Sequence, residues 1–303
     1  MDKVDEMHLF KTLSFATFSV LGIMAFAGLA DAQEQGLHNS SKVFSAPVDI
    51  SWEDWADEAE MQRTWDAALA YLPNGSGQSK RITMAELELA KVGSRQIFPT
   101  IIYMHGCSGF WSGIHTRLSL LADKGFVVIA PASLARQKYP KSCDVETKKG
   151  ALFRGTLKLR QHDAGYAIEQ ARQLPMVDDQ KLVLMGFSEG AVVAATFEAG
   201  NEHQKVSARI VEGWTCQTPW SEYKGVNAPV GEPVLTLVAE KDPWYQNQWT
   251  KGDCGSFLNS SNGSKSIVYR DKELIKQHAL LEKSLVQKDI SDFLKAVLGQ
   301  ISQ

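Results

Sequence analysis

The sequence lacks the positive excess that a nucleic acid or another polyanion requires. Its 32 Lys and Arg residues face 35 Asp and Glu, a formal net charge of −3, and the charges are scattered. It has only four cysteines, Cys107, Cys143, Cys216 and Cys254, none in Cys-x-x-Cys spacing, which argues against a zinc site. No metal motif and no glycine-rich phosphate cradle appears, so no cofactor is implied. No internal repeat is present, which excludes a solenoid or propeller. A chain of 303 residues can bury one large core or two small ones. Apolar strand-like runs alternate with helical stretches from Arg81 onward, which favours an α/β class with one doubly wound, mostly parallel sheet flanked by helices.

What is present is concentrated in Lys181 to Gly190, KLVLMGFSEG. The apolar run Leu182 to Met185 predicts a buried parallel strand, and Gly186 and Gly190 permit a turn too tight for side chains. Such a turn exposes the Ser188 hydroxyl at the strand's carboxyl end, and a helix follows through Ala191 to Ala195. Gly-x-Ser-x-Gly arises by chance roughly once in ten chains of this length, so the strand and helix around it carry the inference.

A serine hydroxyl needs a base, and the base needs an orienting carboxylate. Only His203 and His278 follow Ser188. His203 falls in a polar stretch read as an exposed loop. His278 falls between a predicted strand, Ser266 to Tyr269, and a predicted amphipathic helix, Leu280 to Leu298. Asp242 ends the apolar run beginning at Pro233 and is followed by Pro243; Glu240 is the alternative acid. The order Ser188, Asp242, His278 is that expected of an α/β-hydrolase. Another predicted strand, Phe98 to Met104, runs into His105-Gly106-Cys107, which places the peptide N–H groups of Cys107 and Glu189 at a candidate oxyanion hole. His105 is read as structural.

In the segments IIYMHGCSGFW, FVVIAPAS, LVLMGFSEGAVVA and VLTLVAEKDPWY, and in the loop with His278, the chain resembles the α/β-hydrolase superfamily and, within it, the dienelactone-hydrolase-like group. The resemblance spans Arg81 to Gly299, and the His-Gly-Cys and Ser-Glu-Gly segments look like those of secreted members. It implies the α/β-hydrolase fold and an ester hydrolase. True dienelactone hydrolases carry a cysteine nucleophile where this chain has Ser188, so the implied activity is that of a serine hydrolase on a small carboxylic ester or lactone. A serine peptidase on the same triad, or a binding protein on a silent hydrolase fold, is the alternative.

Residues 1–32 read as an export signal. Leu13 to Ala30 is apolar and uncharged, and Ala30-Asp31-Ala32 offers a cleavage site that leaves Gln33 first in a periplasmic or extracellular protein. Asp2, Asp5 and Glu6 are unusual there, and a start at Met7 would remove them. An uncleaved anchor is the alternative and the one route to a membrane. Export predicts disulfides, and of the three possible pairings Cys107–Cys143 and Cys216–Cys254 each join loops at the carboxyl edge of neighbouring strands. Asn39, Asn74, Asn259 and Asn262 head glycosylation sequons that matter only in a glycosylating host.

Residues 33–80 are read as a leader and a packing helix, Ser51 to Tyr71, and residues 81–303 as the catalytic domain, whose first strand is Arg81 to Lys91. Thr156 to Leu174 is a predicted helix. The basic segment Ala132 to Arg154 reads as a solvated insertion, a lid or an anion-favouring loop. Phe110, Trp111, Phe187, Trp214, Trp220, Trp244 and Tyr245 gather in loops near Ser188, and Phe110, Trp111, Trp214 and Trp244 are the candidate walls of an apolar substrate pocket. Oligomeric state is left open.

Overall fold

The computed structural model describes residues 50–74, 78–90 and 96–299. The expected export signal, its cleavage site, the Met7 start and Asn39 lie outside them. Among the described residues, no helix is long and apolar enough to cross a membrane.

Eight strands, β1 (Leu69–Leu72), β2 (Lys80–Ile82), β3 (Phe98–Met104), β4 (Val127–Ala130), β5 (Val177–Phe187), β6 (Ala208–Glu212), β7 (Val234–Ala239) and β8 (Lys265–Tyr269), form one sheet in the order β2-β1-β4-β3-β5-β6-β7-β8. β1 pairs antiparallel with β2 and β4, and every pair from β4 to β8 is parallel. Among the described residues, the helices are α1 (Trp52–Trp55), α2 (Glu58–Asp66), α3 (Met84–Leu89), α4 (Ile114–Ala122), α5 (Gly155–Arg172), α6 (Glu189–Thr196) and α7 (Ser284–Leu298).

Strand alternation sorts the core into two layers. Ile102, Met104, Leu182 and Leu184 face α2, α3, α5 and α6, whereas Ile101, Tyr103, Val183 and Met185 face α4 and α7. Both faces are therefore buried, which is why the central strands read as unbroken apolar runs. This is the α/β-hydrolase fold, and it brings the loops after β3, β5, β7 and β8 to one carboxyl edge.

The first strand differs from expectation. Of the strand expected over Arg81 to Lys91, β2 stops at Ile82 and α3 follows, and Lys91 lies outside the described residues. Thr83 caps that helix, accepting the Glu86 N–H at 3.1 Å while its own N–H donates to the Glu86 carboxylate at 2.7 Å. The alternation of Leu87 and Leu89 with glutamates imitates a strand, yet Leu87 is buried and Leu89 is 74% exposed. The expected single helix over Ser51 to Tyr71 is α1, α2 and strand β1. Asp57 breaks it by capping α2, accepting the Glu60 N–H at 3.1 Å. The sheet accordingly begins at Leu69, upstream of Arg81. Helix α7 begins at Ser284, four residues after the expected Leu280.

Disulfides join Cys107 to Cys143 and Cys216 to Cys254. They close intervals of 36 and 38 residues. Each is expected to contribute about 2–4 kcal/mol, mainly by restricting the unfolded chain. Urea unfolding with and without a phosphine reductant checks this: a midpoint unmoved by reduction would contradict it.

Candidate active site

Ser188 sits between β5 and α6 at φ 56° and ψ −119°, a region costly for a residue with a Cβ. Hydrogen bonds hold it there. Its N–H donates to the Glu212 carbonyl at 2.9 Å, and its carbonyl accepts the Ala191 and Val192 N–H groups at 2.9 and 3.2 Å. The glycines on either side are sterically required. A Cβ on Gly186 would lie 1.9 Å from the Gly190 carbonyl oxygen, and one on Gly190 would lie 2.0 Å from that of Met104.

His278 bridges the other two candidates. Its Nε2 lies 2.8 Å from Ser188 Oγ and its Nδ1 lies 2.7 Å from Asp242 Oδ2. An ionised carboxylate only accepts, so Nδ1 carries the proton and Nε2 presents a lone pair to the serine hydroxyl. Asp242 is 1% exposed, and its other carboxylate oxygen accepts the Trp244 N–H at 3.0 Å. The imidazole is caged by aromatic rings, with Phe187 at 5.0 Å, Trp244 stacked at 5.3 Å and Tyr245 at 5.9 Å. The rings pack around its plane and leave the side chain 15% exposed. His203 is exposed in a short 3₁₀ turn far along the chain from this loop, and Glu240 is turned to an exposed pair with Arg270 at 2.8 Å.

The loop after β3 passes close to the elbow: a Cβ on Gly106 would lie 3.3 Å from the Phe187 ring and 3.6 Å from Ser188 Cβ. Cys107, Ser188 and Glu189 together line one cavity of about 420 Å³. One buried guanidinium ties its two sides. Arg160 donates to the Glu189 carboxylate at 2.7 Å and also to the His105 carbonyl. Tyr139 donates to the same Glu189 oxygen at 3.3 Å, and His105 Nδ1 donates to the Gly106 carbonyl at 2.6 Å. Among the described residues, no cluster of three or more His, Cys, Asp or Glu side chains could hold a metal ion.

The dienelactone hydrolase family model matches residues 89–253, more than half of the chain. The chain belongs to the dienelactone hydrolase family. No curated protein matches it. Among solved structures, it is similar to a dienelactone hydrolase-like promiscuous phosphotriesterase from metagenomic libraries, at 14% identity and TM-score 0.49, over 76% of this chain and 98% of that one. It is also similar to a hyperthermophilic esterase of the archaeon Pyrobaculum calidifontis, at 14% identity and TM-score 0.45, over 92% and 95% of the two chains. A third is a thermophilic esterase of Thermogutta terrifontis, at 12% identity and TM-score 0.44, over 78% and 90%.

The walls of this family member's cavity differ from expectation. Trp214 and Trp244 line it, as do Trp220, Tyr223 and Tyr245. Phe110 and Trp111 do not. Gly109, at φ 72°, turns the chain back, and its N–H donates to the Gly106 carbonyl at 3.1 Å. Phe110 then packs edge-on to the His105 ring at 5.2 Å, and Trp111 lies against Phe187 at 5.4 Å. The basic segment is not simply a solvated insertion. Arg136 is buried in a 2.7 Å pair with Asp163, Tyr139 is buried, and Lys148 to Leu152 line the cavity. The Lys148 ammonium lies 5.5 Å from the Trp244 ring centroid.

Tyr245, one of the aromatics read near the site, donates its hydroxyl to the Gly213 carbonyl at 2.7 Å, and burial, with the Asp242 and Glu189 charges, raises its phenol well above the ordinary range. Other groups escaped the sequence reading. Arg160 and Asp163 lie on the buried face of α5, where a charge on an apolar stripe was the available signal. Glu212, at the end of an apolar strand, was another.

Burial, then the positive charge of Arg160, hold the His105 imidazole well below its ordinary value of 6.5. The unfolded chain therefore gains a proton that the native state refuses as pH falls below about 6.5. The contribution is complete above that pH and is lost below it, by up to about 1.4 kcal/mol per pH unit. His105→Asn keeps a donor for the Gly106 carbonyl without titrating. Between pH 7.5 and 5.5 the stability advantage of the wild type over this variant, measured by urea unfolding, is expected to narrow by about 1 kcal/mol or more; a constant gap would contradict the burial of a neutral imidazole.

Proposed function

We propose that the protein is an exported serine hydrolase that cleaves a carboxylic ester or lactone through an acyl-enzyme. The observation that carries this reading is the His278 bridge, with hydrogen-bonding distances to Ser188 Oγ and Asp242 Oδ2 on opposite sides of one ring. Ser188 Oγ attacks the ester carbonyl carbon as His278 Nε2 takes its proton. Asp242 accepts the Nδ1–H and stabilises the imidazolium that results. The carbonyl oxygen, now negative, is met by the N–H groups of Cys107 and Glu189, donors of a kind typically worth about 3 kcal/mol each. The tetrahedral adduct collapses, the C–O bond to the alcohol breaks, and the alcohol leaves with the proton from Nε2. Water repeats the attack on the acyl-enzyme, giving its proton to His278, and Ser188 departs with it.

The cavity supports an apolar or aromatic substituent on the ester, because aromatic rings form much of its wall. Lys148 and Lys149 at its rim favour substrates that carry negative charge. Two disulfides suit an oxidising compartment, which supports export.

Hydrolysis of short p-nitrophenyl esters by the chain beginning at Gln33 tests the mechanism. Ser188→Ala is expected to lose about 10⁴-fold or more in kcat and to resist fluorophosphonate labelling. Asp242→Asn, which disturbs the tautomer of His278, is expected to lose on the order of 10⁴-fold while still folding. Equal rates in the wild type and Ser188→Ala would remove Ser188 as the nucleophile.

A further inference from the structure

Glu212 ends β6 and takes no part in the proton transfers above. It is fully buried, as is Arg117, whose guanidinium donates to one of its carboxylate oxygens. The other oxygen accepts the N–H groups of Leu280 and Leu281 at 2.7 and 2.9 Å, two and three residues beyond His278. The main-chain carbonyl of the same residue accepts the Ser188 N–H at 2.9 Å. One residue thus holds the nucleophile through its backbone and the histidine loop through its side chain. The next residue, Gly213 at φ 68°, leaves no slack: a Cβ there would lie 3.1 Å from the His278 carbonyl oxygen and 3.3 Å from its ring carbon Cε1.

Arg117 extends the clamp. It donates to both Glu282 carboxylate oxygens at 2.8 Å and to the Tyr103 hydroxyl at 2.8 Å. Its guanidinium carbon lies 4.5 Å from the centroid of the Phe187 ring, whose own centroid is 5.0 Å from that of His278. A buried ion pair is poor evidence for stability, because desolvation offsets much of its attraction. Here one carboxylate oxygen holds two main-chain N–H groups of the loop that carries the imidazole.

We propose that Glu212 is a positioning residue of this site: its carboxylate, oriented by Arg117, fixes residues 280–281 and so sets the separation of His278 Nε2 from Ser188 Oγ. The proposal rests on the serine-hydrolase reading above. A displacement near 1 Å at a reacting pair costs about 100-fold in rate, and this scale sets the expectation.

Glu212→Gln keeps the shape but cannot satisfy both the guanidinium and the two N–H groups. Its kcat per active site, counted by fluorophosphonate titration, is expected to fall about 10- to 100-fold, with KM within about threefold of wild type. The double variant Arg117→Met, Glu212→Leu removes both buried charges together, which preserves folding if Glu212→Gln does not fold, yet leaves Leu280 and Leu281 without their acceptor. Its kcat per active site is expected to stay low. Wild-type kcat per active site in either folded variant, whatever its melting temperature, would make Glu212 structural only and overturn the proposal. A wild type that neither hydrolyses the ester nor labels at Ser188 would instead overturn the serine-hydrolase reading itself, so the two failures are told apart.

Discussion

The carbonyl of Met104 leaves no room for a side chain at residue 190, and most of the site follows from that contact. A Cβ on Gly190 would sit 2.0 Å from that oxygen, while one on Gly186 would sit 1.9 Å from the Gly190 carbonyl. The end of β3, the end of β5 and the start of α6 therefore meet as bare backbone. Ser188 lies between the two glycines and takes the positive φ that closes the turn, at a cost of about 1–3 kcal/mol that the surrounding hydrogen bonds must offset. The same approach brings the loop after β3 beside the first turn of α6, so Cys107 and Glu189 face one cavity.

Much of this was legible in the sequence because it is dictated locally. An apolar run followed by two glycines around a serine has few physical solutions, and the structure brings Ser188, Asp242 and His278 within hydrogen-bonding distance in that order. Both cysteine pairs read from strand-edge geometry are the pairs formed. The errors have equally local causes. Leu87 and Leu89 alternate with glutamates and imitate a strand, although the Thr83–Glu86 capping box announced a helix. The segment Ser51 to Tyr71 carries helical spacing throughout, but Asp57 restarts the helix and Leu69 enters the sheet.

The cavity walls were harder to read, because composition says which residues are aromatic and nothing of where a loop turns. Gly109 turns the loop after β3 so that Phe110 packs on His105 and Trp111 on Phe187, away from the cavity. Trp220 and Tyr223 reach it from the segment held by the Cys216–Cys254 bridge, an arrangement that depends on contacts distant in sequence. The buried charges were harder still. Arg117, Arg160 and Glu212 fall at positions where an apolar residue would satisfy every local pattern, and only the three-dimensional meeting of loops explains their presence.

Those charges share a logic. On each side of Ser188 an arginine and a glutamate bind main-chain groups of a loop. Arg160 with Glu189 holds the His105 carbonyl on one side, and Glu212 with Arg117 holds the Leu280 and Leu281 N–H groups on the other. Apolar packing could bury the same volume, but it is nondirectional, and a loop resting on it alone can slide by tenths of an ångström at little cost. Charge-assisted hydrogen bonds are short and directional, so they fix register where packing fixes only contact. The disulfides do not supply this for the His278 loop, because all four cysteines lie in other segments. Contact and register are therefore built from different materials: aromatic rings pack around His278, and the buried ion pairs hold the backbone that carries it.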